Sequence, residues 1–201
     1  TFMHEAYVRV GSLTKKLRDF KEKEAKIWRK GNQVQLDSKI AKNNLTATDI
    51  VHLLSTETYF DLMHVPYPQT ISGVIERLES EHLVKKGNNG YGITELGAIL
   101  FAKNLSDFDN LNRKAMRVIV YKGKNKIETI REQIGTKGYA VGFEGLVDWV
   151  NGQLPSNEEI GKALRKEVRM YPKIALRELT ANSIIHQDFS ELGFPMIEIY
   201  S

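Results

Sequence analysis

No cysteine occurs among the 201 residues, so a disulfide scaffold, a cysteine-ligated zinc and a thiol nucleophile are all excluded. That usage points to a reducing compartment. Nor is there an apolar run near the eighteen or so residues that a spanning helix needs, and Thr1-Phe2-Met3-His4 lacks the basic-then-apolar layout of a signal peptide. The expectation is a cytoplasmic protein with no membrane partner. Histidine is sparse and scattered, five in all, which gives no metal-ligand spacing. Proline is equally sparse, and its five positions, 66, 68, 155, 172 and 195, mark breaks in the pattern.

What is present suffices for a packed core. Hydrophobic residues make up 41% and charged residues 27%, the balance of one or two globular units rather than of a disordered chain. The net charge of +4 is unevenly spread. Residues 1–45 carry eleven Lys/Arg against five Asp/Glu, 46–108 four against eight, 109–131 seven against two, and 132–201 seven against ten. Phosphate backbones attract Lys and Arg through counterion release, so 1–45 and 113–131 are where nucleic acid would be met. Arg9, Lys15, Lys16 and Arg18 lead the first of these stretches. The alternative is that the front lysines form the solvated face of a helix, since Lys21-Glu22-Lys23-Glu24 interleaving is common there.

The pattern along the chain predicts an α+β protein. Tyr7–Val10 alternates as a strand and stops at Gly11-Ser12, and Leu13–Trp28 supports a helix. Residues 31–45 read as a linker. Over 46–108 come a helix capped by Thr46 or Thr48, a short helix over 59–63, a third opened by Thr70, a hairpin with the tip Lys86-Gly87-Asn88-Asn89-Gly90, and a helix from Glu95. Helix, helix, helix, hairpin is the order of a winged helix. Its third helix would enter the major groove, yet it carries Glu76, Glu79 and Glu81 against Arg77 alone. The unit is therefore expected to be a packing or dimerisation module, or to touch DNA through Lys85 and Lys86 at the wing.

Further on, Arg113–Tyr121 predicts a strand buried on both sides, 126–134 a helix, and 143–154 an amphipathic helix. Ser156-x-x-Glu159 reads as a capping box opening a helix to Met170. A helix from Pro172 through Ile185 and a strand over 195–200 complete the chain. The sharpest chemistry lies in Arg177–Asp188. Glu178 and Asn182 fall one helical turn apart on one face. A carboxylate can deprotonate a water and an amide oxygen can ligate magnesium, a pairing that fits nucleotide hydrolysis. The plain alternative is a surface Glu and a capping Asn.

The stretch Tyr-Pro-x-x-Ala-x-Arg-Glu-Leu-x-x-Asn-x-x-x-His-x-Asp, Tyr171 to Asp188, resembles the signature that opens the ATP-binding domain of bacterial Schlafen AlbA-type transcriptional regulators, a group related to the helicase RecG. Tyr7–Ser12 is similar to the last strand and turn of their AlbA-like DNA-binding domain. Ile93–Ala102 and Arg117–Gly123 look like their connecting region. The resemblance implies a chain matching an internal stretch of such a regulator. Residues 1–30 would be the end of the AlbA-like domain plus a helix, 31–45 a linker, 46–108 the winged helix, and 109–201 the start of a GHKL-like ATP-binding domain. The Asp-x-Gly-x-Gly motif and glycine-rich lid of that domain would lie beyond Ser201. It also implies DNA as partner, a homodimer, and ATP with magnesium as cofactors of the full-length protein. Glu178 would be the base and Asn182 the magnesium ligand, with Asn182, His186 and Asp188 binding the nucleotide. The alternative it carries is a helicase-related ATPase.

Overall fold

The structure, a computed structural model, describes residues 7–10, 13–22, 36–109, 111–160, 165–189 and 193–200; of residues 8–10, 156–160 and 165–169 it describes the backbone alone. It is a mixed α+β protein whose chain divides into two compact units, Thr1–Gln35 and Leu36–Ser201.

In the first unit β1 (Tyr7–Val10) pairs antiparallel with β2 (Leu13–Lys16), Val10 opposite Leu13, and a 3-10 turn follows over Leu17–Asp19. The helix expected from Leu13 to Trp28 is thus replaced at its start by a strand. Leu13-Thr14 suit a strand as well as a helix, and pairing with β1 decides. Residues 23–30 of that expectation lie outside the described residues.

The second unit opens with β3 (Ile40–Leu45), which falls inside the stretch read as a linker. Its polar composition hid a strand that is held by its pairing with β5 rather than by its own hydrophobicity. Three helices follow, α1 (Ala47–Leu53), α2 (Thr56–Leu62) and α3 (Ile71–Ser80). Then come the hairpin of β4 (Val84–Gly87) and β5 (Gly90–Thr94), and α4 (Glu95–Phe101). The strands form an antiparallel sheet in the order β3-β5-β4. Each helix start is fixed locally. Thr46 and Asp49 make a reciprocal capping box on α1, Thr70 accepts from the Gly73 N–H on α3, and Thr94 accepts from the Gly97 N–H on α4. Ile50, Val74, Ile75, Leu78, Val84 and Ile93, each 2% exposed or less, face inward from four of these elements and close the core.

That core continues without a break through Phe108, Leu111 and Met116 to Tyr139. The chain then builds a second sheet in the order β10-β6-β7. β6 (Arg117–Tyr121) is central, parallel to β10 (Met196–Tyr200) and antiparallel to β7 (Thr129–Ile134). β6 is buried on both sides as its apolar run predicts, but it begins at Arg117 rather than Arg113, because Asn112–Lys114 form a 3-10 turn before it. α5 (Tyr139–Gln153) lies over this sheet, burying Val150 against Val118, Val120 and Ile199.

Two expected helices are strands. Residues 129–134 form β7, because the spacing of Ile127, Ile130 and Ile134 imitates a helical stripe while Ile130-x-Glu132-x-Ile134 also alternates, and pairing with β6 decides. Ser156–Ile160 and Arg165–Arg169 form the hairpin β8–β9, with Glu159 opposite Lys166. A helix there would have carried Gly161 in its interior at a cost of about 1 kcal/mol. α6 (Lys173–Ile185) follows Pro172 as the pattern predicts.

Candidate functional site

α6 lies against α5, and their seam is set by charge. Lys173 pairs with Asp148, and Arg177 donates to both carboxylate oxygens of Glu144 while its guanidinium sits 5.2 Å from the Phe143 ring centroid. Two cations four residues apart on one helix meet two anions four residues apart on the other. The Arg177 guanidinium holds the Glu144 carboxyl below its ordinary range, and Glu144 in turn raises Arg177. At the far end of the seam Gln187 Nε2 donates to the Tyr139 hydroxyl at 3.0 Å, and Tyr139 donates to the Lys114 carbonyl. Lys114, only 8% exposed, donates from Nζ to the Phe189 carbonyl at 2.9 Å. Burial raises the Tyr139 hydroxyl above its ordinary value.

With α6 pinned at both ends, its rotation about its own axis is fixed. Thr180 turns inward, and Glu178 and Asn182 turn to the open side, where both are exposed. One helical turn separates them, placing their Cβ atoms about 5–6 Å apart. Around them stand Ile174, Leu179 and Ile185, each more than 60% exposed. His186 caps the helix, its N–H donating to the Asn182 carbonyl at 3.0 Å, and Asp188 lies exposed in the turn beyond. The structure thus places Glu178 and Asn182 one turn apart on the exposed side of α6, with His186 at its end and Asp188 in the turn beyond. Asn182 supplies one oxygen donor of the kind magnesium takes, far fewer than its six positions require, so nucleotide phosphates and water would complete the shell, with Glu178 left as base. No cluster of three or more metal-ligating side chains occurs among the described residues.

The sequence-derived nucleic-acid residues are distributed over both units. Arg9 sits opposite Thr14 in β1–β2, described by its backbone alone. Lys15 is exposed, 6.0 Å from the Phe20 ring centroid; Lys16 is half-buried and Arg18 exposed. In the second unit Lys85 and Lys86 stand on β4, half-buried and exposed respectively. The α3 helix beside them has its cation engaged internally. Arg77 donates from Nε to the Tyr59 hydroxyl at 2.8 Å and pairs with Glu81 at 2.8 Å. Glu79 accepts from the Lys86 backbone N–H at 3.2 Å, tying helix to hairpin.

Sequence reading missed the paired seam, although Glu144/Asp148 and Lys173/Arg177 are both spaced by four and so carried the signal. The Tyr139–Lys114–Phe189 bracing carried none, because its partners are brought together only by the fold.

Among the described residues no helix is long and apolar enough to cross a membrane. No protein-family model matches the chain, and no curated protein does. Among solved structures the chain is similar to the crystal structure of the DIP2311 protein from Corynebacterium diphtheriae. The identity is 16% and the TM-score 0.49, over 98% of this chain and 36% of the length of that one. At that level the likeness carries no statement about what the chain binds.

Proposed function

We propose that the chain is part of a DNA-binding bacterial transcriptional regulator of the Schlafen AlbA type. In this reading β3 through α4 is a winged helix that serves as scaffold or dimer interface. It meets duplex phosphates through its hairpin rather than its third helix. The observation that carries the reading is the division of charge between α3 and β4. Arg77 is consumed by Tyr59 and Glu81, leaving α3 a net acidic face, whereas no side-chain partner engages the ammonium groups of Lys85 and Lys86 among the described residues. A phosphate backbone is repelled by the first surface and attracted by the second. The motif resemblance of Tyr7–Ser12, Ile93–Ala102 and Tyr171–Asp188 supports the same reading.

A mobility-shift titration of a duplex across a salt series tests it. Each of Lys85→Glu and Lys86→Glu should weaken binding uniformly across sequences and flatten the log–log salt slope by about 1. Glu76→Lys on α3 should leave affinity unchanged. Undetectable binding at low salt, or a gain from Glu76→Lys that matches the loss from Lys86→Glu, would sink the proposal. Light scattering measures the homodimer.

The rotation of α6 favours a second, enzymatic reading, an ATPase of the full-length parent. Here Glu178 is the base and Asn182 the magnesium ligand, with His186 and Asp188 beside the nucleotide of a GHKL-like domain. Magnesium would neutralise phosphate charge there. The outward face of Glu178 and Asn182 leaves both side chains accessible to such a ligand. A magnesium-ATP thermal shift of the full-length protein, abolished by Asn182→Ala and retained with lost turnover by Glu178→Gln, is the expected result.

A further inference from the structure

The basic segment 109–131 is used only in part above. Lys114 is buried on the Phe189 carbonyl, and Arg117 pairs with Glu132. Of the five remaining, Lys122, Lys124 and Lys126 gather in one place. The turn Lys122-Gly123-Lys124-Asn125-Lys126 leaves the carboxyl end of β6, with the carboxyl end of the parallel strand β10 beside it. Gly123 adopts φ 72°, and no atom lies within 4 Å of where its Cβ would stand, so the backbone of the turn is open to close approach. Lys124 is exposed, and the side chains of Lys122 and Lys126 are 65% and 60% exposed.

At the foot of this turn Tyr200 stacks on the buried Tyr121, ring centroids 5.4 Å apart and planes at 26°, and remains 43% exposed. Glu198 joins the two features. It accepts from Lys126 Nζ at 2.6 Å and from the Tyr200 hydroxyl at 3.2 Å. A cation and a half-open aromatic ring are therefore held one carboxylate apart.

We infer that the turn Lys122–Lys126 and Tyr200 form a binding site for a nucleobase with its phosphate, the base stacking on Tyr200 and the lysines meeting the phosphate. Open sheets bind ligands beyond the carboxyl ends of their parallel strands. Aromatic rings beside lysines are the pairing that holds an unpaired base and its backbone. The Lys122–Glu128 and Lys126–Glu198 pairs do not block the site, because exposed ion pairs are worth little and their lysine heads, both more than half exposed, can turn to a phosphate. A duplex hides its base faces, so the ligand is a free nucleotide or a single strand. The inference extends the nucleic-acid reading above but uses different residues, so the two fail separately.

The test is fluorescence anisotropy on the full chain with a labelled twelve-residue oligothymidylate and, in parallel, a labelled duplex. The oligothymidylate should bind with a log–log salt slope near −2, as three lysine contacts to a single strand require at about 0.7 each. Tyr200→Ala should weaken it at least about fivefold, while Tyr200→Phe, which keeps the ring, should not. Lys124→Glu, a change at an exposed position that leaves the fold intact, should weaken it also. None of the three should alter duplex affinity. Competition by thymidine monophosphate assigns the site to free nucleotides, and its failure at millimolar concentration assigns it to strands. Oligothymidylate binding that is absent at low salt, or unmoved by both Tyr200→Ala and Lys124→Glu, overturns the inference. Loss of duplex binding alone overturns only the earlier proposal.

Discussion

Thr94 ends β5, caps α4 and ties both to the preceding loop. Its hydroxyl donates to the His82 or Leu83 carbonyl, at 2.9 and 3.0 Å, and accepts from the Gly97 N–H at 3.0 Å. That draws α4 so close that a Cβ on Gly97 would lie 2.2 Å from the Leu83 carbonyl oxygen. Backbone on both sides leaves nothing free to yield, so Gly97→Ala should destabilise the protein by at least about 2 kcal/mol. Gly145 offers the opposite case. It lies inside α5 with nothing within 4 Å of its Cβ position, and Gly145→Ala should stabilise by about 0.5–1 kcal/mol through helix propensity and chain entropy. Urea midpoints at unchanged slope measure both. Similar signs for the two variants would mean that the contact at Leu83 does not set the packing of α4.

At the scale of elements, the α5–α6 seam makes stability depend on acid. The Glu144 carboxyl is held below its ordinary range by the hydrogen bond from Arg177, that of Glu198 likewise by Lys126, and that of Asp49 by the Thr46 hydroxyl and backbone N–H. A carboxyl lowered on folding contributes stability that is complete above its unfolded value and is lost as pH falls through its folded value. Thermal melts should therefore be flat from pH 7 to about 5 and fall below about 4.5. Glu144→Gln should lower the plateau and reduce the fall, and an unchanged acid limb in that variant would mean that the seam makes no contribution. The seam also shows how far the sequence reaches. Charges spaced by four on two helices could be read in advance, as could the Thr-capped starts of α1, α3 and α4 and the apolar run of β6. What could not be read was pairing at a distance. β3, β7 and β8–β9 are polar or ambiguous stretches whose strand character comes from partners, β5 and β6 for the first two, and local pattern alone gave a linker and two helices there. The Glu178–Asn182 face was legible from helical period, whereas the Tyr121–Tyr200 stack required β6 and β10 to be brought side by side from positions 79 residues apart.

For the whole molecule, burial and charge divide differently between the two units. Of the buried apolar side chains described, Leu17 alone lies before residue 36, and both hydrophobic clusters fall within Leu36–Ser201. A two-stranded hairpin such as β1–β2 has little stability of its own. Residues 1–35 nevertheless carry nine Lys/Arg against four Asp/Glu, so removing them takes the chain from +4 to −1. Residues 36–201 produced alone should unfold in one cooperative step, with a midpoint within about 4 °C of the intact chain, as a loss of less than about 1 kcal/mol implies. Loss of the phosphate contacts expected of Lys15, Lys16 and Arg18 should lower their duplex affinity and flatten its salt slope by several units, because slope counts phosphate contacts. Oligothymidylate binding at Tyr200 should persist unchanged. A truncated chain that keeps the full salt slope would place every duplex phosphate contact within residues 36–201, and would leave the basic front segment as a solvated surface.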